Sequence, residues 1–399
     1  MATLQRLALR GTPKATKLAA RYTPAGGAER CGQCRHYVPS SSCARIEGPV
    51  SAAGWCALFS RLVTNPHHAG VQSFGGGPPS LDLDFTTGTI DPRITCARAS
   101  VASYFDSAGT IQTSPNDTPR IDFDPVTHKG LGLLVEGSRT NFLKNSAVLI
   151  TQTNTVSAQT YILSFYGSGT IVLSGNAAGT LVGTGPFPAR ASMTVVVGTT
   201  GPVTATVTGT VLNAQMENAT FISSWIPTAA ANVTRALDDV KMPLDTWFNT
   251  ARTTMVAKYL VMQSPNPGPA GANRETCGIS DGTTANRLVL RGQSGSGSGS
   301  VAQGYVAIGG VSQFASVAGT LTGGVPATLG VSWDGTTSYS SFSGSASLPA
   351  ISTGMPAGLN VLTFGNGLAA LVAPQFGWLQ RFRYWPRALG ASELQSVTV

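Results

Sequence analysis

Four cysteines, Cys31, Cys34, Cys43 and Cys56, stand within one short stretch as C-x2-C-x8-C-x12-C. The other two of the six, Cys96 and Cys277, stand alone. Thiolates at this spacing can close round one inorganic centre, and the tight CGQC turn supplies two ligands at almost no loop-closure cost. A zinc ribbon would offer two C-x2-C knuckles, whereas this stretch has one knuckle followed by a spaced pair. Three chemistries remain open from the residues: an iron-sulfur cluster, zinc, or two disulfides, the last suiting a segment too small to bury an adequate core. His36, beside the first knuckle, reads as a surface histidine, because four thiols already complete a site.

The surrounding text, CGQCRHYVPSSSCARIEGPVSAAGWCALF, resembles the high-potential iron-sulfur protein family in its CxxC, its EG…GWC ending and an aromatic soon after each ligand group. The resemblance covers about residues 31 to 60. It implies that Cys31, Cys34, Cys43 and Cys56 ligate a [4Fe-4S] cluster, with Tyr37, Trp55 and Phe59 shielding it from water. Members of that family are small complete domains, and the flanks here soon become something else.

The elements that must carry this knob are set by composition. Charged residues are 11% of the 399-residue chain, well below the usual quarter, and Gly is abundant at 47. Such a chain favours β-structure with polar, uncharged surfaces. No apolar run is long enough to span a bilayer, and the N-terminus lacks the apolar core of a secretory signal. The net charge of +8 is unevenly placed, with Arg6, Arg10, Lys14, Lys17, Arg21 and Arg30 against Glu29 in the first 30 residues. That arm suits an acidic neighbour; with no aromatic interleaved apart from Tyr22 it carries no signature of specific nucleic-acid binding.

After a Gly/Pro-rich joint, short apolar alternations (Leu81, Leu83, Phe85; Ile121, Phe123) run between Asp, Gly, Thr and Pro turns, which predicts extended segments. The elements at Asp84, Phe85, Gly88, Asp91, Pro92 and Arg93, the RASVASYFDSAG segment, the PRIDFDP segment and the GLLVEGSRTN ending through Arg139, Thr140 and Asn141 resemble a module of tailed-bacteriophage virion proteins, the tail fibres and head spikes. The acids Asp82, Asp84, Asp91, Asp106, Asp122 and Asp124 match no calcium-loop pattern and read as turn chemistry. Cys96 reads as a small buried apolar residue.

In the next unit, PVTATVTGTVLNAQME alternates Val203, Ala205, Val207 and Val211 with threonines, predicting one buried and one wet face. The segment ATFISSWIPTAAANVTRALDD resembles the closing segment of phage fibre modules with a carbohydrate-binding-module-like jelly roll; there Trp225 is a candidate glycan contact or a core aromatic. The last unit has hairpin signals at Asp281-Gly282, Asp334-Gly335 and Asn366-Gly367. Its ending, GWLQRFRYWPRALGASELQSV, resembles the closing strand and helical turn of laminin-G-like (concanavalin-type) domains, through Gly377, Trp378, Arg381, Tyr384, Trp385, Pro386 and Arg387. Alternation puts Phe382 and Tyr384 on one face, and Ser392 is placed to cap a short helix carrying Leu394 and Val397.

The expected architecture is mostly β: a basic arm at 1–30, a four-Cys knob at 31–63, a joint at 64–80, a connecting module at 81–144, and β-sandwiches at 145–240 and 241–399. Retaining glucanases of jelly-roll shape need paired carboxylates, yet Glu275, Asp281, Asp334 and Glu393 are solitary in sequence, and G-x-S-x-G, HExxH and P-loop patterns are missing. The run SGSGSGS at 294–300 reads as a loop between strands.

The expected function is therefore that of a non-enzymatic virion protein. It would be made in the host cytoplasm, exposed on the particle and docked to other virion proteins without membrane insertion. Repetition as a homotrimer would bring weak host-glycan sites to useful avidity. The competing expectations are an electron-transfer protein and a surface-polysaccharide depolymerase.

Overall fold

The computed structural model describes the backbone at 37–38 and 42–43, and residues 77–262, 273–294, 300–346, 349–351, 354–365, 373–374 and 376–399. The chain divides into two compact units, Met1–Pro78 and Pro79–Val399. In the first, Tyr37–Val38 pairs antiparallel with Ser42–Cys43. Cys31, Cys34, Cys56, Trp55 and Phe59, and the side chains of Tyr37 and Cys43, lie outside the described residues.

The second unit is mostly β, in antiparallel sheets stacked as two sandwiches. The larger sandwich faces a nine-stranded sheet against an eight-stranded one. Its core takes Met255, Ala257 and Tyr259 from one central strand and Phe382 and Tyr384 from the other. Ile279, Leu288, Leu290, Val306, Leu362 and Phe364 face them from the second sheet. Both Phe382 and Tyr384 are fully buried, as their alternation along Gly377–Trp385 predicts. Each such ring contributes about 1.5–3 kcal/mol of burial.

The connecting region does not fold apart from this sandwich. Leu81–Asp84 pairs with Tyr384 back to Arg381, while Gly130–Val135 pairs with Gly377 through Leu379. The reason is length: Gly377–Trp385 has nine residues, about 30 Å at strand rise, enough to accept two short strands end to end. Thr95–Ala97 adds to the opposite sheet beside Asp239–Pro243. Leu81, Leu83, Phe85, Cys96, Ile121, Leu133 and Val135 accordingly share one core with the C-terminal half. Residues 139–235 leave these two sheets and rejoin them.

The inserted smaller sandwich has a four-stranded sheet (Gln152–Val156, Gly201–Thr208, Thr170–Gly175, Gly179–Val182). Its five-stranded partner runs Gly185–Val196, Thr160–Gly167, Leu212–Glu217, Arg139–Asn141, Val233–Arg235. The PVTATVTGTVLNAQME stretch supplies two strands, one to each sheet, rather than a single strand. Gly209 turns between them with φ of 70° beside the backbone of Gly169, a conformation that favours glycine. Val203, Ala205 and Val211 point inward, whereas Thr206 and Thr208 are exposed and Thr153 shares a hydroxyl bond with Thr204.

Turn chemistry holds where it was expected. The Asp281 carboxylate accepts from the Thr283 N–H and hydroxyl, and that of Asp334 from the Thr336 and Thr337 N–H groups. Gly282 and Gly335 both have φ of 87°. Asn366-Gly367 and residues 295–299 of the SGSGSGS run lie outside the described residues. The closing helix is Ala391–Val397 with Leu394 buried, but its N-cap is Gly390 with no side-chain cap bond, and Ser392 lies inside the first turn. Arg387 and Glu393, joined as an ion pair, fasten that end instead. No helix among the described residues is long and apolar enough to cross a membrane.

Candidate binding site at the junction of the two sandwiches

The chain enters the small sandwich through Arg139–Asn141 and leaves through Val233–Arg235, two strands paired with each other. Charged residues embedded in apolar runs on either side of this crossing are drawn into one buried network. Arg98 donates to Asp238 at 2.8 Å and Arg120 to the other Asp238 oxygen at 2.6 Å. Glu136 receives Arg120 at 3.0 Å and Arg235 at 2.9 Å. All of these side chains are at most 1% exposed.

Hydroxyls and backbone groups extend the network, in which the Nε atoms of Arg120 and Arg235 are buried without hydrogen-bond partners. The Ser224 N–H and hydroxyl donate to Glu136, and Arg120 and Arg235 donate to the Ser224 oxygen. Glu217 accepts from the Ser223 N–H and hydroxyl. Asn141 ties the strand Leu212–Glu217 to the segment at Ile226 by donating to the Ala214 and Ile226 carbonyls and accepting from the Leu143 and Met216 N–H groups. Burial disfavours the Glu136 carboxylate, but Arg235 and Arg120 outweigh it and hold its pKa down at about 2.

Beside this network lies a pocket of about 430 Å³, within the range of small-ligand sites. Ser103, Tyr104 and Phe105 come from the small Ala102–Phe105/Ile111–Ser114 hairpin; Asp122, Leu134 and Trp378 come from the large sandwich; Tyr166, Arg190 and Trp225 come from the small one. The lining is mainly apolar and aromatic. Asp122 is its buried acid: one oxygen accepts from the Phe105 N–H at 2.6 Å, the other from the Trp378 indole at 2.8 Å. Burial raises its pKa to about 6. Arg190 donates to the Ser223 carbonyl and the Ser164 hydroxyl and lies 5.2 Å over Tyr166, while its Nε is buried without a partner.

The sequence-selected residues separate by role. Trp225 lines the pocket, yet it is 9% exposed and its indole donates to Ser146, so most of its ring is used in packing. Asp84 caps a short 3-10 turn, Asp91 pairs with Arg93, Asp82 pairs with Arg381, and Asp106 and Asp124 accept from N–H groups in their own turns. Asp122 departs from the turn reading. Its sequence neighbour in spacing, Asp124, is tied into a turn. Cys96 and Cys277 are buried free thiols in the large core, and burial pushes the Cys96 pKa up to about 12.

Glu136, Glu217, Arg235 and Asp238 were not singled out as site residues. Their signal was a charge interrupting an apolar run, as in GLLVEG and AQMEN. Asp122 is the buried carboxylate between the aromatic walls, and Asp124, held by N–H groups of its own turn, also lines the pocket.

No family model matches the chain, and no curated protein matches it. Among solved structures, the CBM40 domain of the Ruminococcus gnavus IT-sialidase aligns at 14% identity and a TM-score of 0.31, covering 38% of this chain and 84% of that one. The NanB sialidase from Streptococcus pneumoniae aligns at 13% identity and a TM-score of 0.31, over 38% of this chain and 25% of its own. Domain 4 of AbnA, a GH43 arabinanase from Geobacillus stearothermophilus, aligns at 12% identity and a TM-score of 0.30, over 43% and 78%. Likenesses at this level assign neither fold nor ligand.

Proposed function

We propose that this chain is a non-catalytic structural protein of a tailed-phage particle, a tail fibre or head spike, whose sandwiches are displayed for attachment to a host surface. One observation carries the reading. The residues behind the phage-module resemblance, Arg98, Arg120, Glu136, Asn141, Arg235 and Asp238, lie far apart in sequence and meet in a single buried joint. Such a convergence supports a shared mechanical part rather than a shared active centre. It fixes how one sandwich is mounted in the other and leaves their outer faces free to differ.

In this reading the aromatic pocket beside Asp122 receives an apolar ring face of a surface ligand. The basic arm docks to an acidic neighbour on the particle, and Cys31, Cys34, Cys43 and Cys56 hold a [4Fe-4S] cluster that stiffens the anchor. Assembly as a homotrimer multiplies weak contacts into lasting attachment.

Antibody labelling of intact particles tests the assignment directly: surface labelling at tail or head is expected, and absence of the chain from purified particles would overturn it. Incubation with host polysaccharide is expected to release no oligosaccharide; release that is abolished by Asp122→Asn would replace binding with depolymerisation. Anaerobic purification is expected to yield iron and sulfide, whereas zinc without sulfide would remove the cluster.

A further inference from the structure

On the eight-stranded sheet, the strand Arg287–Ser294 presents Leu288 and Leu290 to the large core. Its alternate residues Arg287 and Arg291 therefore lie on the opposite face. Glu275 is directly across from Arg291 on one neighbouring strand, and Gln303 is directly across on the other. Arg287 donates to Glu275 at 2.5 Å and Arg291 donates through Nε to Gln303 at 2.6 Å. Both guanidiniums lie over the Tyr305 ring, at 3.8 Å for Arg291 and 5.2 Å for Arg287.

The charges do not balance. Arg287 and Arg291 are 9% and 5% exposed, Glu275 is 2% exposed, and among the described residues Glu275 is the one carboxylate paired with them. Desolvating an uncompensated guanidinium is costly, and the quadrupole of one tyrosine returns only part of that cost. Burial moreover pulls the Arg291 pKa down to about 10. The Arg287 Nε is buried with no hydrogen-bond partner. Arg287 retains 11% side-chain exposure and Tyr305 is half-buried, so the cluster is approached from their side.

We propose that this cluster is a binding site for a monoanionic carboxylate, held by the free edges of the Arg287 and Arg291 guanidiniums beside Tyr305. A planar carboxylate matches the guanidinium fork, and a single negative charge matches the single excess positive one; a dianionic phosphate or sulfate would overshoot. That the carboxylate belongs to a sugar acid rests on the attachment reading above, whereas the carboxylate itself does not.

Calorimetric titration of the purified full-length chain with sodium glucuronate, sodium acetate, sodium sulfate and glucose tests the proposal. Saturable binding of glucuronate is expected, with none for glucose. Arg291→Gln is expected to weaken binding about tenfold or more. Arg287→Lys keeps the charge but loses the fork, and is expected to weaken it as well while leaving the thermal midpoint near that of the parent, so the site is testable even where the glutamine variant fails to fold.

Acetate binding as tightly as glucuronate supports the carboxylate and removes the sugar ring from the ligand. Sulfate binding more tightly than either carboxylate, no carboxylate binding to the parent chain, or unchanged affinity in both variants would each overturn the site. None of these outcomes depends on whether the chain is found on a phage particle.

Discussion

The junction between the sandwiches and the arginine cluster on the eight-stranded sheet are both buried and both ionic, but their charges are matched differently. At the junction three guanidiniums, Arg98, Arg120 and Arg235, stand against three carboxylates, Asp238, Glu136 and Glu217, with Ser223 and Ser224 donating to the glutamates and the Arg120 and Arg235 Nε atoms left without partners. On the sheet face, Arg287 and Arg291 share Glu275. Desolvation penalises both groups, so it cannot distinguish them. The balance does: a matched network fastens two parts together, while an excess charge leaves bonding capacity for something that arrives from outside.

Removing one member of the junction network costs the fold most. Arg120→Met leaves the buried Asp238 and Glu136 carboxylates short of a partner. A loss of about 3–5 kcal/mol is expected, measured by urea denaturation of the full chain. A loss below about 1 kcal/mol, the range of exposed ion pairs, would mean that the junction is not a fastening.

Acid titration separates two carboxylates at the same junction. Glu136 has a folded pKa of about 2 against an ordinary value of 4.5, so the stabilisation it gives is present above 4.5 and is lost as pH falls from there through about 2. Asp122 moves oppositely, from 3.8 up to about 6; its protonated form is favoured in the fold, so its contribution is present below 3.8 and is lost as pH rises through about 6. Each is on the order of 3 kcal/mol over its window. Glu136→Gln is expected to flatten the acid limb of a stability-against-pH curve and Asp122→Asn the limb between pH 4 and 6, which calorimetric melting across that range would read.

Periodicity made the local parts of this fold legible. Leu81, Leu83 and Phe85, the paired Phe382 and Tyr384, and the Asp281 and Asp334 turns all followed from alternation and turn chemistry, because those signals are written within a few residues. The mounting of one sandwich inside the other was not legible. It depends on strand Gly377–Trp385 accepting partners some 250 and 300 residues away, a pairing that no local pattern encodes. Site residues divide the same way: Glu136 and Asp238 belong to motifs the sequence displayed, but only their meeting with Arg98, Arg120 and Arg235 reveals their task. Arg287 and Arg291, four residues apart and so on one face of a strand, carried no signal in the sequence; Glu275 and Tyr305 had to be folded against them before the pair meant a site.

Loss of a charge from the sheet-face cluster acts in the opposite sense to loss of Arg120. In Arg291→Met the replacement has similar length and no charge, so it removes the excess guanidinium while leaving the Arg287 and Glu275 pair intact. Gln303 loses one donor, a cost of about 1 kcal/mol, against which stands relief from desolvating an unmatched cation. Stability is therefore expected to stay level or rise by about 1 kcal/mol in urea denaturation without added carboxylate. In saturating glucuronate the parent chain gains stability by mass action and the variant does not, so the order of the two reverses. If Arg291→Met instead loses several kcal/mol in the absence of ligand, the sheet-face cluster is a fastening like the junction, and its unequal charge has another source.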